Sequence, residues 1–233
     1  MNVIITGASR GIGKAIAEEF AAAGHDLCLC ARGELSLYRT VEELVTRFEG
    51  VTVKARPYDL EDPLQAQAFG KWILDLGLSV DILVNNAGQF LSGHVLDEPA
   101  GTLEKMIGAN LYSAYHLTRT LAPAMIARHQ GHIFNICSVA SLQAYENGGS
   151  YSISKFALAG FSSNLRQELK PHGVKVTTVY PGAAMTDSWS GSGVDPSRIM
   201  KARDIAQMIL AASLLSPQAT VEEILIRPQL GDL

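Results

Sequence analysis

The sequence predicts an α/β fold, in which one doubly wound, seven-stranded parallel sheet carries helices on both faces. Apolar segments of strand length alternate with longer helical patterns along the whole of the 233 residues. The strand segments are rich in Val, Ile and Leu, which is typical of parallel strands buried on both faces. A glycine-rich turn follows the first strand and opens a helix. With no internal repeat and no low-complexity linker, residues 1–233 are expected to form a single domain.

The expected elements follow one another in strict alternation, with right-handed crossovers between the strands. Strands are predicted at 2–6, 26–30, 51–56, 80–84, 132–137, 174–179 and 222–227. Helices are predicted at 12–23, 35–48, 62–77, 101–107, 111–129, 152–170 and 202–214. A Gly/Ser-rich stretch after the sixth strand indicates a short mobile lid at about 187–203. Because ligands bind beyond the carboxyl ends of such strands, functional residues are expected directly after them.

Composition excludes several classes of protein. The net charge of −4 and the lack of basic runs argue against nucleic acid as a partner. No apolar stretch approaches the ~20 residues of a membrane span, and Met1 leads directly into the first strand, so we expect neither membrane association nor a signal peptide. Cys28, Cys30 and Cys137 show no paired spacing, which favours a reducing cytoplasm. The six histidines lack metal-ligand spacing, and no metal is expected.

The glycine-rich turn is the first candidate binding site. Gly7, Gly11 and Gly13 follow the first strand in the spacing G-x-x-x-G-x-G. Gly7 permits a tight turn, and the other two let the backbone approach a phosphate at the helix N-terminus. A glycine-rich connection that binds no ligand remains the alternative interpretation.

Tyr151 and Lys155 are the first candidates for catalysis. Their i,i+4 spacing puts both side chains on one helix face if a helix begins near Tyr151. A cation held beside a phenol lowers the phenol pKa, which would suit Tyr151 for proton transfer at an alcohol or carbonyl oxygen. Ser138 precedes this pair and lacks the G-x-S-x-G context of a hydrolase nucleophile.

Several motifs together resemble the short-chain dehydrogenase/reductase family, in the family's order and spacing and over nearly the whole chain. The matching segments are Thr6-Gly7-Ala8-Ser9-Arg10-Gly11-Ile12-Gly13, Asp59, Asn85-Asn86-Ala87-Gly88, Asn110, Ser138, Tyr151-Ser152-Ile153-Ser154-Lys155, and Pro181-Gly182 with Thr186. The resemblance implies a Rossmann-type domain that moves a hydride between a nicotinamide and a small carbonyl or alcohol substrate.

The resemblance also assigns catalytic roles. Ser138 and Tyr151 would both donate to the substrate oxygen, and Tyr151 would transfer the proton. Lys155 would lower the Tyr151 pKa and bind the nicotinamide ribose. Asn110, expected at the start of the helix after the fourth strand, would hold a water that links Lys155 to solvent. An ordinary helix N-cap is the alternative interpretation of Asn110.

By the same resemblance, three groups of residues would hold the cofactor. Asp59 and Leu60 would contact the adenine ring, and the turn after the fourth strand would line the adenosine side. The loop after the sixth strand would hold the nicotinamide amide. With Tyr151 and Lys155, the complete implied set is Gly7, Ser9, Arg10, Gly11, Ile12, Gly13, Arg32, Asp59, Leu60, Asn86, Ala87, Gly88, Pro181, Gly182 and Thr186.

The end of the second strand favours NADP(H) over NAD(H). Ala31 stands where an acid would accept the ribose 2′-hydroxyl, and Arg32 follows it. A guanidinium presents a planar fork to a phosphate, and Arg10 can approach the same group from the glycine turn. Glu34 is a competing acid two residues further on, and a solvated arginine remains the alternative for each cation.

The substrate is less well specified. Ser138, Tyr151, Gln143 and Trp189 are the candidate substrate contacts, although Trp189 could equally anchor a loop or touch another subunit. The tail after the last strand resembles sepiapterin-reductase-like and 3-hydroxy-acid-dehydrogenase-like bacterial members. Asp232 would then reach a cationic substrate group or remain a solvated terminal acid.

Three functions stay open. The leading hypothesis is reduction of a small ketone, aldehyde or pterin-like diketone. The second is a 3-oxoacyl-thioester reductase, which His172 and the tail argue against, and the third is a non-catalytic NADP(H)-sensing protein. Surplus apolar residues on helices 111–129 and 152–170 predict a homodimer or homotetramer.

Overall fold

The computed structural model describes residues 1–186 and 193–232 and confirms the predicted fold class. A seven-stranded sheet, parallel throughout, has the order β3-β2-β1-β4-β5-β6-β7. Its strands are β1 (Asn2–Thr6), β2 (Asp26–Ala31), β3 (Val53–Pro57), β4 (Ile82–Asn85), β5 (Gly131–Ile136), β6 (Val174–Pro181) and β7 (Glu223–Ile226). All seven predicted strands are present, with ends that differ by at most about two residues, as is usual for element boundaries.

In residues 1–186 and 193–232, seven α-helices cover the two faces of this sheet. They are α1 (Gly11–Ala22), α2 (Glu34–Arg47), α3 (Pro63–Asp75), α4 (Thr102–Ile107), α5 (Ser113–Arg128), α6 (Gly149–Leu169) and α7 (Ala202–Ser213). Within the described part of the chain, no helix is long and apolar enough to cross a membrane.

Two apolar layers hold the helices on the sheet, because alternate residues of each strand point to opposite faces. On one face Ile5 and Leu29 pack with Phe20 of α1 and with α7. On the other face Ile4 packs with α3 and α5, together with Cys28 and Cys30. The two cysteines therefore share one face, as predicted, and all three cysteines are buried and unpaired.

The chain reverses its order across the sheet between β1 and β4. Strands β2 and β3 lie on one side of β1, whereas β4 to β7 lie on the other. In open parallel sheets, ligands bind in the crevice that opens at such a switch point, beyond the carboxyl ends of the strands. The glycine turn after β1 and the Asn86 turn after β4 face each other there.

Two helix predictions needed correction. The predicted gap between helices 101–107 and 111–129 does not exist, because a π-helical turn at Gly108–Tyr112 joins α4 to α5. Asn110 is therefore neither the start of a helix nor its N-cap. The helix expected at 152–170 begins at Gly149, which makes Tyr151 its third residue. Single π turns often occur at functional sites, since they redirect side chains.

The predicted lid is only partly described. Residues 187–192 lie outside the described residues, and Trp189 is among them. Beyond them, Pro196–Arg198 forms a 3₁₀ turn, and α7 begins at Ala202.

Candidate active site

The glycine turn is locked by the side chains of Thr6 and Asn86. The Asn86 Nδ2 donates to Thr6 O at 2.9 Å and to Gly7 O at 3.3 Å, while its backbone N donates to the Thr6 hydroxyl at 2.9 Å. The Ala87 N donates to the same hydroxyl at 2.9 Å. The Asn86 side chain thus shapes the turn from within rather than presenting a free amide to a ligand.

Close backbone approach requires the glycines of this turn. Gly7 and Gly11 have φ values of 64° and 55°, which L side chains rarely adopt. A Cβ on Gly13 would overlap Gly7 O and Asn86 Nδ2, and a Cβ on Gly11 would approach Thr186 Cγ2 to 3.2 Å. Thr186 therefore lies over the turn, and the open backbone at the start of α1 fits a diphosphate.

The opposite end of the crevice carries Arg32, directly after β2. Its Nη1 donates to Glu61 Oε1 at 2.8 Å and lies 3.8 Å from Asp59 Oδ2. The Gln89 side-chain amide also donates to Glu61. Arg32 is half-exposed and therefore able to exchange partners. Glu61 was missed by the sequence analysis, although its position two residues after Asp59 at the adjacent strand end was a usable signal.

Ser138 and Tyr151 lie close together beyond β5, and the Ser138 hydroxyl is near enough to act on the pKa of the phenol. Ser138 begins the 3₁₀ turn Val139–Ser141, and its Oγ accepts from Ala140 N at 3.2 Å. Ser152 ties this turn to α6 by donating to Ala140 O at 2.9 Å. The strand end and the helix are thereby held together on either side of the paired hydroxyls.

Lys155 lies one helical turn beyond Tyr151 and is 6% exposed. Its Nζ donates to Ile136 O at 2.9 Å and lies 5.9 Å from the centroid of the Tyr151 ring. The two side chains therefore share one face of α6, as the i,i+4 spacing predicts.

Burial governs the protonation of this pair. It raises the pKa of Tyr151 to about 12, and the nearby Ser138 hydroxyl opposes the rise. Burial lowers the pKa of Lys155, and Cys137 opposes that change. The Tyr151 pKa is thus raised rather than lowered in this arrangement, in which the Lys155 ammonium donates to the Ile136 carbonyl.

Asn110 projects from the π turn into the same centre and is fully buried. Its Oδ1 accepts from Gln89 N at 2.8 Å, and its Nδ2 donates to Gln89 O at 3.0 Å and to Ser154 Oγ at 2.8 Å. A Cβ on Gly88 would lie 2.6 Å from Asn110 Oδ1 and 3.7 Å from Lys155 Nζ. Gly88 thus leaves the space in which Asn110 and Lys155 approach each other.

Aromatic rings border the substrate side of Tyr151. The Phe90 ring meets the Tyr151 ring edge-on, with centroids 4.8 Å apart and planes at 89°. Tyr145 is near enough to raise the Tyr151 pKa electrostatically, and both Phe90 and Tyr145 are 45% exposed. Gln143 is exposed on the same segment as Tyr145, and Trp189 lies outside the described residues.

The remaining predicted residues lie along the crevice. Asp59 Oδ1 accepts from Glu61 N at 3.1 Å, Leu60 is buried, and Ser9 O accepts from Thr40 Oγ1 at 3.2 Å. Asp232 pairs with Arg227 at 3.2 Å and lies against Gly182, so it is not simply solvated. In the described part of the chain, no group of three His, Cys, Asp or Glu side chains could hold a metal ion.

The comparisons with known proteins agree with this geometry. The sequence pattern of the short chain dehydrogenase family matches residues 1–195. The chain therefore belongs to the short-chain dehydrogenase/reductase family of oxidoreductases.

Two relatives and two solved structures illustrate the match. Sepiapterin reductase of Chlorobaculum tepidum is 34% identical and covers 99% of this chain and 97% of its own. An uncharacterized oxidoreductase of Staphylococcus epidermidis is 31% identical, with 97% and 96% covered. A metagenomic short-chain oxidoreductase in complex with NADP is 32% identical, with a TM-score of 0.86 over 98% of this chain and 97% of its own. A 3-oxoacyl-[acyl-carrier protein] reductase from Brucella melitensis is 28% identical, with a TM-score of 0.85 over 97% and 89%.

Proposed function

We propose that this protein is an NADPH-dependent carbonyl reductase that acts on a small ketone, an aldehyde or a pterin-like diketone. The observation that carries the proposal is the meeting of Ser138, Tyr151 and Lys155 beside a glycine turn that is open to a diphosphate. The nicotinamide, when bound, supplies the hydride for the carbonyl carbon.

The residues of the chain handle the charge and the proton. Ser138 and Tyr151 donate hydrogen bonds to the substrate oxygen, on which negative charge develops, and such preorganised donors lower the barrier strongly. Tyr151 then transfers its proton to that oxygen as a general acid. The phenol is protonated at neutral pH, as proton donation in the reducing direction requires. Lys155 would bind the ribose of the nicotinamide nucleotide, and Asn110 would order the water through which the proton is replaced.

Replacing Tyr151 with Phe tests this role, because the ring remains and only the proton is deleted. We expect turnover to fall by about 10²–10⁴-fold, while NADPH affinity measured by fluorescence titration stays within a factor of about two. The matched control is Tyr38→Phe, which makes the same change at a tyrosine of α2 that is 45% exposed, and it should leave turnover unchanged. Substantial reduction by the Tyr151→Phe protein would contradict the assignment.

The preference for NADPH is proposed from Arg32. Its contacts with Glu61 and Asp59 hold the guanidinium at the strand end, where it can exchange these carboxylates for a 2′-phosphate. Arg10 supports it from the glycine turn. The double variant Ala31→Asp/Arg32→Ser should weaken NADPH binding by about tenfold or more, since charge-assisted hydrogen bonds contribute about 1.5–3 kcal/mol each. NADH binding should improve or stay the same, and unchanged NADPH selectivity would remove the argument.

Two aromatic rings beside Tyr151 support the proposal of a small planar substrate. Phe90 and Tyr145 offer flat apolar surfaces to a small planar substrate. The similarity to a sepiapterin reductase points the same way. The second candidate, a 3-oxoacyl-thioester reductase, is favoured by the structural likeness to such an enzyme. Comparing turnover of a vicinal diketone with that of an acetoacetyl thioester separates the two, because the preferred substrate should show the higher kcat/KM.

A non-catalytic sensor of NADP(H) is the remaining alternative, and a protein that binds NADPH but reduces no carbonyl in a broad panel would favour it.

We also propose a homodimer or homotetramer in the cytoplasm. Tyr112, Ile153 and Phe156, on the predicted interface helices, are 42–45% exposed in the single chain. Light scattering should give a mass of two or four chains, and Phe156→Glu should reduce it.

A further inference from the structure

The loop between β4 and α4, residues 86–101, is fastened to the beginning of α6 by one carboxylate. Glu98 Oε1 accepts from the Ser150 backbone N at 2.9 Å, and the Ser150 hydroxyl donates to Glu98 Oε2. Ser150 is 3% exposed. The helix has no side-chain cap of its own at Gly148. A negative charge at this end is favourable, because the first helical N–H groups lack partners within the helix.

The backbone of α6 is shaped to admit this carboxylate. Gly149 has a φ of 38°, and a Cβ there would overlap Glu98 Oε1. The loop is held at a second point, where Gly93 N donates to Asn147 O at 3.0 Å. Any side chain at position 149 would displace Glu98, so the glycine and the acid form one fitted contact.

The Glu98–Ser150 contact is linked to the Tyr151 phenol through Ser150 and Phe90. Ser150 immediately precedes Tyr151, so Glu98 fixes the helical turn from which the phenol projects. The loop that Glu98 anchors also carries Phe90, whose ring meets the Tyr151 ring edge-on. One side chain therefore contacts the helical turn that carries Tyr151 and anchors the loop that carries Phe90.

We propose that Glu98 is a positioning residue for the reaction, which clamps the 86–101 loop onto α6 and thereby sets the orientation and the solvent shielding of the Tyr151 phenol. The inference rests on the proposed function, because it assigns to Glu98 an effect on a proton transfer by Tyr151. Glu98 itself touches neither the substrate nor the cofactor in this role.

The test compares Glu98→Ala and Glu98→Gln with Asp97→Ala as the matched control. Asp97 is the adjacent acid in the same loop and is exposed. We expect Glu98→Ala to lower kcat by about 10–100-fold with NADPH affinity unchanged, since small displacements of reacting groups have effects of this size. The kcat of Glu98→Gln should lie between those of the wild type and Glu98→Ala, because its amide oxygen can still accept a hydrogen bond from the Ser150 N–H. Asp97→Ala should behave as the wild type.

A pH profile distinguishes positioning from a general loss of stability. Removing the clamp admits water to the phenol, which reverses part of the burial that raises the Tyr151 pKa. The alkaline limb of kcat for carbonyl reduction should therefore move to lower pH in Glu98→Ala. Phe90→Ala should move it in the same direction, and the double variant should add little to either single change, because both act through one contact.

Retained kcat and an unmoved alkaline limb in Glu98→Ala would overturn the proposal, whatever its melting temperature. Should that variant fail to fold, Glu98→Gln and Ser150→Ala decide by the same two readouts. A wild type that reduces no carbonyl, or an active Tyr151→Phe, would contradict the proposed function. An active wild type, an inactive Tyr151→Phe and an unimpaired Glu98→Ala would contradict only the role of Glu98.

Discussion

The glycine turn and the catalytic helix α6 border the same crevice, yet different forces hold them in place. The turn is fixed by close contacts, in which the Asn86 side chain occupies the space that Cβ atoms on Gly7 and Gly13 would need and is hydrogen-bonded to Thr6. The catalytic end is built from buried polar side chains that arrive from separate elements. Asn110 comes from the π turn, Ser138 from the end of β5, and Lys155 from α6.

This difference predicts opposite relations between function and stability. At the turn, the contacts that shape the binding surface also stabilise the fold. At the catalytic end, the Lys155 ammonium is buried and Tyr151 is partly buried, and burial shifts the pKa of each group so that its neutral form is favoured. Burying such groups costs free energy, so the reactive arrangement is maintained against the stability of the domain.

The largest effect is expected from Gly13→Ala. The new Cβ would overlap Gly7 O and Asn86 Nδ2, which are backbone and locked side-chain atoms that cannot move away. We expect a loss of about 3 kcal/mol or more in the free energy of unfolding and loss of NADPH binding. Gly160→Ala is the control, since nothing lies near its Cβ, and it should stabilise α6 by about 0.5–1 kcal/mol. Urea unfolding and NADPH titration measure the stability and the cofactor binding of both variants. A Gly13→Ala protein with wild-type stability and NADPH affinity would contradict a sterically fixed turn.

A matched pair of asparagines sharpens the comparison. Asn86→Ala and Asn110→Ala each remove an amide that bridges backbone groups, and each should cost about 2 kcal/mol of stability. Their kinetic effects should differ, because one amide shapes the turn and the other lies beside Lys155. We expect Asn86→Ala to raise the Kd for NADPH and Asn110→Ala to lower kcat. Equal effects of the two substitutions on both constants would abolish the distinction between the regions.

The smallest effect on the free energy of unfolding, and one of opposite sign, is expected from Lys155→Met. It should abolish turnover but raise the free energy of unfolding by about 1 kcal/mol at neutral pH, because a buried charge is replaced by an apolar chain. Loss of the hydrogen bond to Ile136 O limits the gain.

The pH dependence of stability checks the cause. The folded-state pKa of Lys155 lies below its unfolded value, so the unfolded chain binds more protons between the two. The stability contribution of Lys155 is therefore lost as pH falls through that window. In Lys155→Met this contribution to the pH dependence of the free energy of unfolding should be missing. A variant that is less stable than the wild type at every pH would refute the argument.

Local patterns in the sequence were sufficient for the architecture and for half of the site. Alternation of strands and helices predicted the sheet, because burial on both faces requires apolar strands. Glycine spacing predicted the turn, since glycine adopts the positive φ values found at Gly7 and Gly11 far more readily than other residues. The Tyr151–Lys155 spacing predicted a shared face because i,i+4 neighbours are close on any helix.

Tertiary structure alone decided the rest, because it depends on contacts between residues far apart in the chain. The π turn that directs Asn110 inward and the contact of Glu98 with Ser150 leave no local pattern, and the position of Glu61 in the sequence does not show that it pairs with Arg32. Nor could the sequence show that Lys155 donates to Ile136 O or that burial raises the Tyr151 pKa. Residue types and spacings determine which groups are present, whereas desolvation and long-range packing determine their charge and orientation.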